Sequence, residues 1–159
     1  NELDKILIYF LDKKINFKDL YSLLNIKSND DFNELKDEAF NGNKLKTNRL
    51  LADTVFEAEN NVYYLNAINQ RINRLKEIEG LKENNSNVEF LISTLKPPVF
   101  WKDKPILIQQ SKKWNKRKIV FALKKTFDAE LQIKSNSSIK QDLIIKHLLI
   151  DLCLTASAS

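Results

Sequence analysis

The chain has 159 residues, of which 43% are hydrophobic and 30% charged, so it can bury a sizeable core and is not globally disordered. Only two glycines and three prolines are present, which favours an all-helical fold. The single cysteine, Cys153, excludes an internal disulfide and fits the cytoplasm. The longest apolar run, residues 6–11, is far below the roughly 18 residues of a membrane span. We therefore expect no membrane association, and we expect no signal peptide.

Positive charge is concentrated in one segment. Residues 96–125 hold ten basic residues and one acid, a net charge of +9, so the rest of the chain carries −4 out of the total of +5. This asymmetry indicates a polyanion or an acidic partner. The alternative is a solvated helix face.

The first part of the chain predicts two short helices, at residues 2–11 and 18–24. Because the chain starts inside a helical pattern without a cap, we expect these helices to be the end of a domain whose front is missing. Ser28-Asn29-Asp30-Asp31 is polar and is predicted to be a break in the helical pattern and the domain boundary.

Five helices are predicted in the middle of the chain, at residues 32–40, 44–56, 62–81, 88–95 and 105–114. Gly42 suits the left-handed position that ends the first of them. In the second helix Leu45 and Val55 are expected to point inward, with Leu50 and Leu51. In the third, a stripe of Leu65, Ile68, Ile72, Leu75 and Ile78 is expected in the core, with Gln70, Arg71 and Arg74 on the wetter side.

The last third of the chain predicts two long helices joined by the polar turn Ser135–Ser138, which makes them antiparallel neighbours. Asn115 can cap the first helix. Apolar residues recur at spacings of three and four in both helices, and we expect them to form the centre of the core. They are Trp114, Ile119, Val120, Leu123, Phe127, Leu131 and Ile133 in the first, and Ile139, Leu143, Ile144, Leu148, Leu149 and Leu152 in the second.

The sequence indicates no catalytic constellation. With glycine only at positions 42 and 80, a phosphate-binding loop of the P-loop type is excluded on this chain. His147 is the only histidine, and it forms no recognisable metal pair with Cys153. We therefore predict no enzymatic activity, no catalytic or metal-ligating residue and no cofactor.

The order of several motifs resembles the delta subunit of bacterial DNA polymerase III, a subunit of the clamp loader. The motifs are Asn41-Gly42-Asn43-Lys44 with the Leu50-Leu51 helix, a Glu-rich loop, and the helix containing residues 65–71. Lys96-Pro97-Pro98-Val99-Phe100-Trp101-Lys102 and the segment from Trp114 to Ser135 are also similar to parts of this family. No single motif is specific, but their order extends over essentially the whole chain.

The resemblance implies an all-α architecture in which residues 1–30 end a small AAA+ lid domain and residues 31–157 form a helical collar. The family's nucleotide-binding-like first domain, which contacts the sliding clamp, is expected to be absent. The resemblance also implies assembly with the delta-prime and tau/gamma subunits and contact with primed DNA. The delta subunit of this family does not hydrolyse ATP, in agreement with the missing P-loop.

Seven residues are candidates for DNA contact. An aromatic pair beside lysines can stack on an exposed base and hold its phosphates. The alternative is that Phe100 and Trp101 plug the bundle where Pro97-Pro98 redirects the chain, and that the cations form a solvated face. A stand-alone basic helical domain that binds nucleic acid is the second function considered. The candidate residues are Phe100, Trp101, Lys102, Lys104, Lys112, Lys113 and Arg117.

Overall fold

The computed structural model describes residues 26–57, 60–83, 87–135 and 138–158, and within these ranges the chain is all-α with seven helices. In the part of the chain that is described, no helix is both long and apolar enough to cross a membrane. The helices are α1 (Ile26–Phe40), α2 (Lys44–Asp53), α3 (Asn61–Leu81), α4 (Val88–Thr94), α5 (Lys104–Ser111), α6 (Lys116–Lys134) and α7 (Gln141–Ser157).

The start of α1 corrects one prediction. Among the described residues, α1 extends from Ile26 through Ser28–Asp31 without interruption, so the predicted polar break is wrong. Polar residues do not interrupt a helix when the apolar residues that follow them fix its buried face. The two predicted helices at residues 2–11 and 18–24 lie outside the described residues. The division at residue 30 therefore stays a prediction.

Gly42 ends α1 as the sequence predicted. Its φ angle is +67°, in the left-handed region that glycine adopts without steric cost. The Gly42 amide donates to the Ala39 carbonyl at 3.0 Å, and the Asn43 amide donates to the Glu38 carbonyl at 3.1 Å. These two bonds satisfy carbonyls that the end of the helix would leave unpaired. Asn43 then caps α2 by accepting from the Lys46 amide.

We expect Gly42→Ala to destabilise the fold by about 1–3 kcal/mol, because it adds a side chain at positive φ. A Cβ atom at this position would also lie 2.8 Å from the backbone nitrogen of Ser157, in α7. Urea unfolding followed by circular dichroism measures the loss. Gly80→Ala is the matched control, since no atom lies within 4 Å of a Cβ there. An equal loss in both variants would contradict this explanation.

The core is centred on α3. All five predicted residues of its stripe, from Leu65 to Ile78, are buried, which confirms this face. Arg71 is also buried, at 8% exposure, so its predicted place on the wetter side is wrong. The helix brings Arg71 against charged and polar groups of α1 and α5, which compensate its burial.

Helices α6 and α7 form the predicted antiparallel hairpin. Near one end, the Lys118 ammonium at the start of α6 donates to the Ala158 carbonyl after α7 at 2.6 Å. Near the other end, the side-chain amide of Gln141 donates to the Ile133 carbonyl at 3.3 Å. Asn115 caps α6 by accepting from the Lys118 amide at 3.0 Å, as the sequence predicted.

The predicted apolar stripe of α6 is confirmed only in part: Trp114 and Ile119 are buried, and Leu123 and Ile133 are partly buried against the core. Val120, Phe127 and Leu131 are 50–61% exposed. The inward stripe instead contains the small residues Ala122, Thr126 and Ala129, which follow Ile119 at spacings of three and four. Small side chains allow helices to approach closely, so this face packs against α3 and α7.

Four other predicted core residues are exposed. Ile139 and Leu143 are 50% and 52% exposed, although Ile144, Leu148, Leu149 and Leu152 are buried as predicted. Leu45 and Val55 are 87% and 72% exposed. Val55 follows the end of α2 at Asp53, where the helical period that placed it inward no longer applies.

Candidate interaction surfaces

Helix α7 is apolar on two opposite sides. Its inner side is buried through Ile145, Leu149 and Leu152, among others. Its outer side carries Leu143, Ile150 and Leu154, which are 52%, 37% and 50% exposed. Together with His147, these residues follow one another at spacings of four, three and four, so they form one stripe along the helix. We call these four residues the α7 outer stripe.

The α7 outer stripe borders a groove of about 440 Å³ between α6 and α7. On the α6 side the groove is lined by polar groups, including Lys125 and Asp128. The Lys125 ammonium lies 2.9 Å from an Asp151 carboxylate oxygen, and the His147 Nδ1 lies 3.7 Å from the same oxygen. Lys125 and Asp151 thus form a polar border on the α6 side of the exposed apolar residues of α7.

Helix α6 has an outer stripe of its own, formed by Val120, Phe127 and Leu131. These residues are separated by seven and four positions and therefore share a face. Sequence periodicity found the outer stripe of α6 but assigned it to the core, and of the α7 outer stripe it found only Leu143. The signals that could have revealed the outer stripes are the second, smaller apolar stripe of α6 and the second apolar side of α7.

A second candidate surface is the turn at residues 97–103, which two arginines of α3 hold in place. The Arg74 guanidinium donates to the carbonyls of Lys96 and Pro97 at 3.1 and 2.8 Å. The Arg71 guanidinium lies 3.4 Å from a carboxylate oxygen of Asp103. The turn is therefore fastened at both of its ends.

This turn presents its aromatic pair to solvent. Phe100 and Trp101 are 59% and 67% exposed, so they do not plug the bundle, which was the alternative considered above. Their ring centroids are 5.8 Å apart, and the Lys102 ammonium lies 5.4 Å from the Trp101 ring centroid. Lys104, at the start of α5, is also exposed.

The structure does not gather all seven candidate residues into one groove. Phe100 lines a groove of about 730 Å³ with residues of α1 and α3, whereas Lys112 and Lys113 line another, of about 450 Å³, near the end of α7. These two grooves share no lining residue. Lys113 donates to the Asn41 carbonyl, so it also has a structural role. Arg117 is exposed on α6.

Beneath the aromatic turn lies a buried charged cluster. The Arg71 guanidinium is 2.9 Å from an Asp37 carboxylate oxygen and 3.4 Å from the Gln110 amide oxygen. Lys36, which is 7% exposed, has its ammonium 3.9 Å from the same Asp37 oxygen. Burial lowers the pKa of Lys36 and raises that of Asp37, despite the opposing effect of the nearby charges.

The raised pKa of Asp37 predicts a pH dependence of stability. Above its ordinary value of 3.8, the unfolded chain releases a proton that the folded protein still holds. The contribution of Asp37 to the free energy of unfolding therefore decreases as the pH rises through this window. Asp37→Asn removes the titration, so the stability of the wild type relative to this variant should fall as the pH rises above 3.8. Urea unfolding of both proteins at several pH values tests this, and a difference independent of pH would contradict it.

The described residues contain no group of three or more histidine, cysteine, aspartate or glutamate side chains arranged to hold a metal ion. Cys153 is buried in α7. Comparisons with known protein families, with curated proteins and with solved structures find no match to this chain.

Proposed function

We propose that this chain is a non-catalytic assembly module that joins a protein complex through the outer faces of its last two helices. The single observation that carries the proposal is the α7 outer stripe. A helix that is apolar on two opposite sides is expected to be covered on both, but among the described residues only the inner side of α7 is covered. Interfaces between subunits bury such apolar anchors within a polar rim.

The resemblance to the clamp-loader delta subunit suggests the identity of the complex. A collar domain of that kind would assemble with delta-prime and tau/gamma subunits in DNA polymerase III and would serve clamp loading in DNA replication. The exposed stripes of α6 and α7 support this proposal, because a collar helix must present apolar residues outward to its neighbours in a ring. Such a module needs no nucleotide site of its own, and the cytoplasm is its proposed location.

Size-exclusion chromatography of the chain mixed with delta-prime and tau/gamma from the same organism tests the proposal. We expect the wild type to co-elute with them as a complex. Leu143→Ser combined with Leu154→Ser should abolish the complex, because a polar group placed in an apolar interface loses its hydration without gaining a partner. Leu45→Ser, at an 87% exposed position of α2, is the matched control and should assemble normally. The proposal fails if no complex forms, or if the control loses it equally.

Direct binding of nucleic acid is the second candidate function, and the exposed pair Phe100 and Trp101 favours it. An aromatic ring with a neighbouring lysine can stack on a base and contact its phosphate, a contribution of about 1–3 kcal/mol per base. We expect Trp101→Ala to weaken binding of a primed DNA about 5–100-fold. Fluorescence anisotropy at several salt concentrations measures the affinity. Unchanged affinity in the variant would exclude stacking on this ring.

A further inference from the structure

Gly80 opens a notch on the surface of the bundle. A groove of about 520 Å³ lies between the last turns of α3 and the first half of α6, and Gly80, Ile119, Val120 and Leu123 line it. A Cβ atom at Gly80 would meet nothing within 4 Å. The backbone there is helical and no neighbour approaches closely, so local packing does not require glycine at this position. Since glycine is unfavourable inside a helix, its presence calls for another explanation.

The α6 wall of this notch is both apolar and cationic. Val120 and Leu123 line the groove, and Val120 is 61% exposed. Lys116 lines it as well, and Arg117 and Lys124 are exposed within one turn of Val120 on α6. These three cations form no ion pair among the residues that the structure describes. The α3 wall is closer to neutral, because its basic and acidic side chains are equal in number. Glu79 pairs with Lys82 at 2.6 Å, and Lys76 and Glu83 also line the groove.

We propose that this notch receives an apolar side chain from an acidic amphipathic helix of a partner protein. The inference rests on the proposed function as an assembly module, but it concerns a contact separate from the α7 outer stripe. An amphipathic helix docks by inserting apolar anchors into a groove while its polar face meets the rim. Carboxylates on that face would pair with the free cations of α6, which gives charge complementarity. Gly80 provides the space for the anchor.

A nucleic acid fits this site less well. Phosphates would meet the same cations, but a phosphate backbone has no apolar group to cover Val120 and Leu123. A protein helix satisfies both features of the wall at once. The two occupants are distinguished by competition, as described below.

Binding of designed peptides to the whole chain tests the proposal. The probe is a fluorescein-labelled peptide of about 18 residues, long enough to form a helix on docking, with leucine at helical spacing and glutamate on the other face. The matched probe has lysine in place of every glutamate. We expect the glutamate peptide to bind the wild type and the lysine peptide to bind at least about tenfold more weakly. Equal binding of the two peptides, or no binding of the glutamate peptide, overturns the proposal.

Substitutions locate the binding site. Gly80→Phe fills the notch from an open surface position and should weaken the glutamate peptide at least about tenfold. Lys116→Glu combined with Lys124→Glu should weaken it similarly, and circular dichroism verifies that each variant is folded. Leu143→Ser combined with Leu154→Ser should bind the peptide as the wild type does. Unchanged binding to the Gly80→Phe protein overturns the proposal, as does displacement of the peptide by a single-stranded oligonucleotide.

The same experiments separate this inference from the proposed function. If the wild type binds the glutamate peptide at the notch but forms no complex with the clamp-loader subunits, docking at the notch is supported and the clamp-loader assignment is contradicted. If the subunits co-elute with the wild type and Gly80→Phe leaves peptide binding unchanged, assembly with the clamp loader is supported and docking at the notch is contradicted.

Discussion

Replacing Trp114 by alanine is expected to lower the free energy of unfolding by about 3–5 kcal/mol, a loss typical of large buried aromatic residues. Trp114 is 1% exposed and lies between α5 and α6. Its indole nitrogen donates to the Phe40 carbonyl at 2.8 Å, and its ring centroid is 5.3 Å from that of Phe40. The variant therefore leaves a cavity and removes the partner of a buried carbonyl. Because small domains are stable by about 5–15 kcal/mol in total, this single change endangers the fold.

The chain provides its own control, since its only other tryptophan is 67% exposed. Trp101→Ala should change the stability by less than about 0.5 kcal/mol, as is usual for surface positions. Urea unfolding followed by circular dichroism compares the two variants. Trp114→Phe keeps most of the ring but loses the hydrogen bond, so it should fall between them. A loss of similar size for Trp101→Ala would contradict this account of the core.

The α3 helix was predictable from sequence because its apolar residues occupy one face only. From Leu65 to Ile78 the spacing of three and four has no rival on the opposite side, so periodicity identified the buried face correctly. The end of α1 was equally predictable, because only glycine adopts positive φ at low cost. Asn115 was identified as a helix cap by its short side chain and its position before an apolar-periodic segment.

The α6 and α7 helices were harder because each has two apolar faces. In α6 the larger side chains, Val120, Phe127 and Leu131, lie outside, and the smaller ones pack inside. Hydrophobicity ranks the larger residues first, whereas close helix packing selects the smaller ones. Tertiary contacts determine which of the two apolar faces is buried. The spacing of apolar residues in a single sequence does not reveal this choice. The same ambiguity concealed the α7 outer stripe.

The candidate sites show a similar division. The aromatic pair Phe100 and Trp101 was identified from sequence, and its exposure follows from the turn that Arg71 and Arg74 hold. The role of these arginines was missed, because charge and helical position placed Arg71 on the wet side. Only contacts across 32 to 39 positions in the chain reveal that its partners are Asp103 and Gln110. No role for Gly80 was predictable from sequence, since an empty notch has no sequence signature.

Removing the Arg71 side chain should be about as damaging as removing Trp114. Arg71→Ala would remove the closer cation of Asp37, at 2.9 Å, and leave only the Lys36 ammonium at 3.9 Å; breaking a buried ion pair from one side costs about 3–5 kcal/mol. It would also release Asp103 and the Gln110 amide oxygen, and so loosen the turn that carries Phe100 and Trp101. We therefore expect reduced stability and, if the aromatic pair binds DNA, weaker binding as well. Urea unfolding and DNA titration measure the two effects separately.

Two further variants distinguish the effect of breaking the Arg71–Asp37 ion pair from the effect of removing a positive charge. Arg49→Ala removes an arginine whose side chain is 84% exposed and lies 3.8 Å from Asp53, so it should cost at most about 0.5 kcal/mol. Arg71→Met combined with Asp37→Leu removes both charges of this pair and fills much of their volume, while Lys36 keeps its hydrogen bond to the Asn33 side chain. Because apolar replacement of both partners is often neutral or stabilising, this double variant should be more stable than Arg71→Ala. If it is less stable than the single variant, the cost of Arg71→Ala does not arise from the uncompensated charge of Asp37.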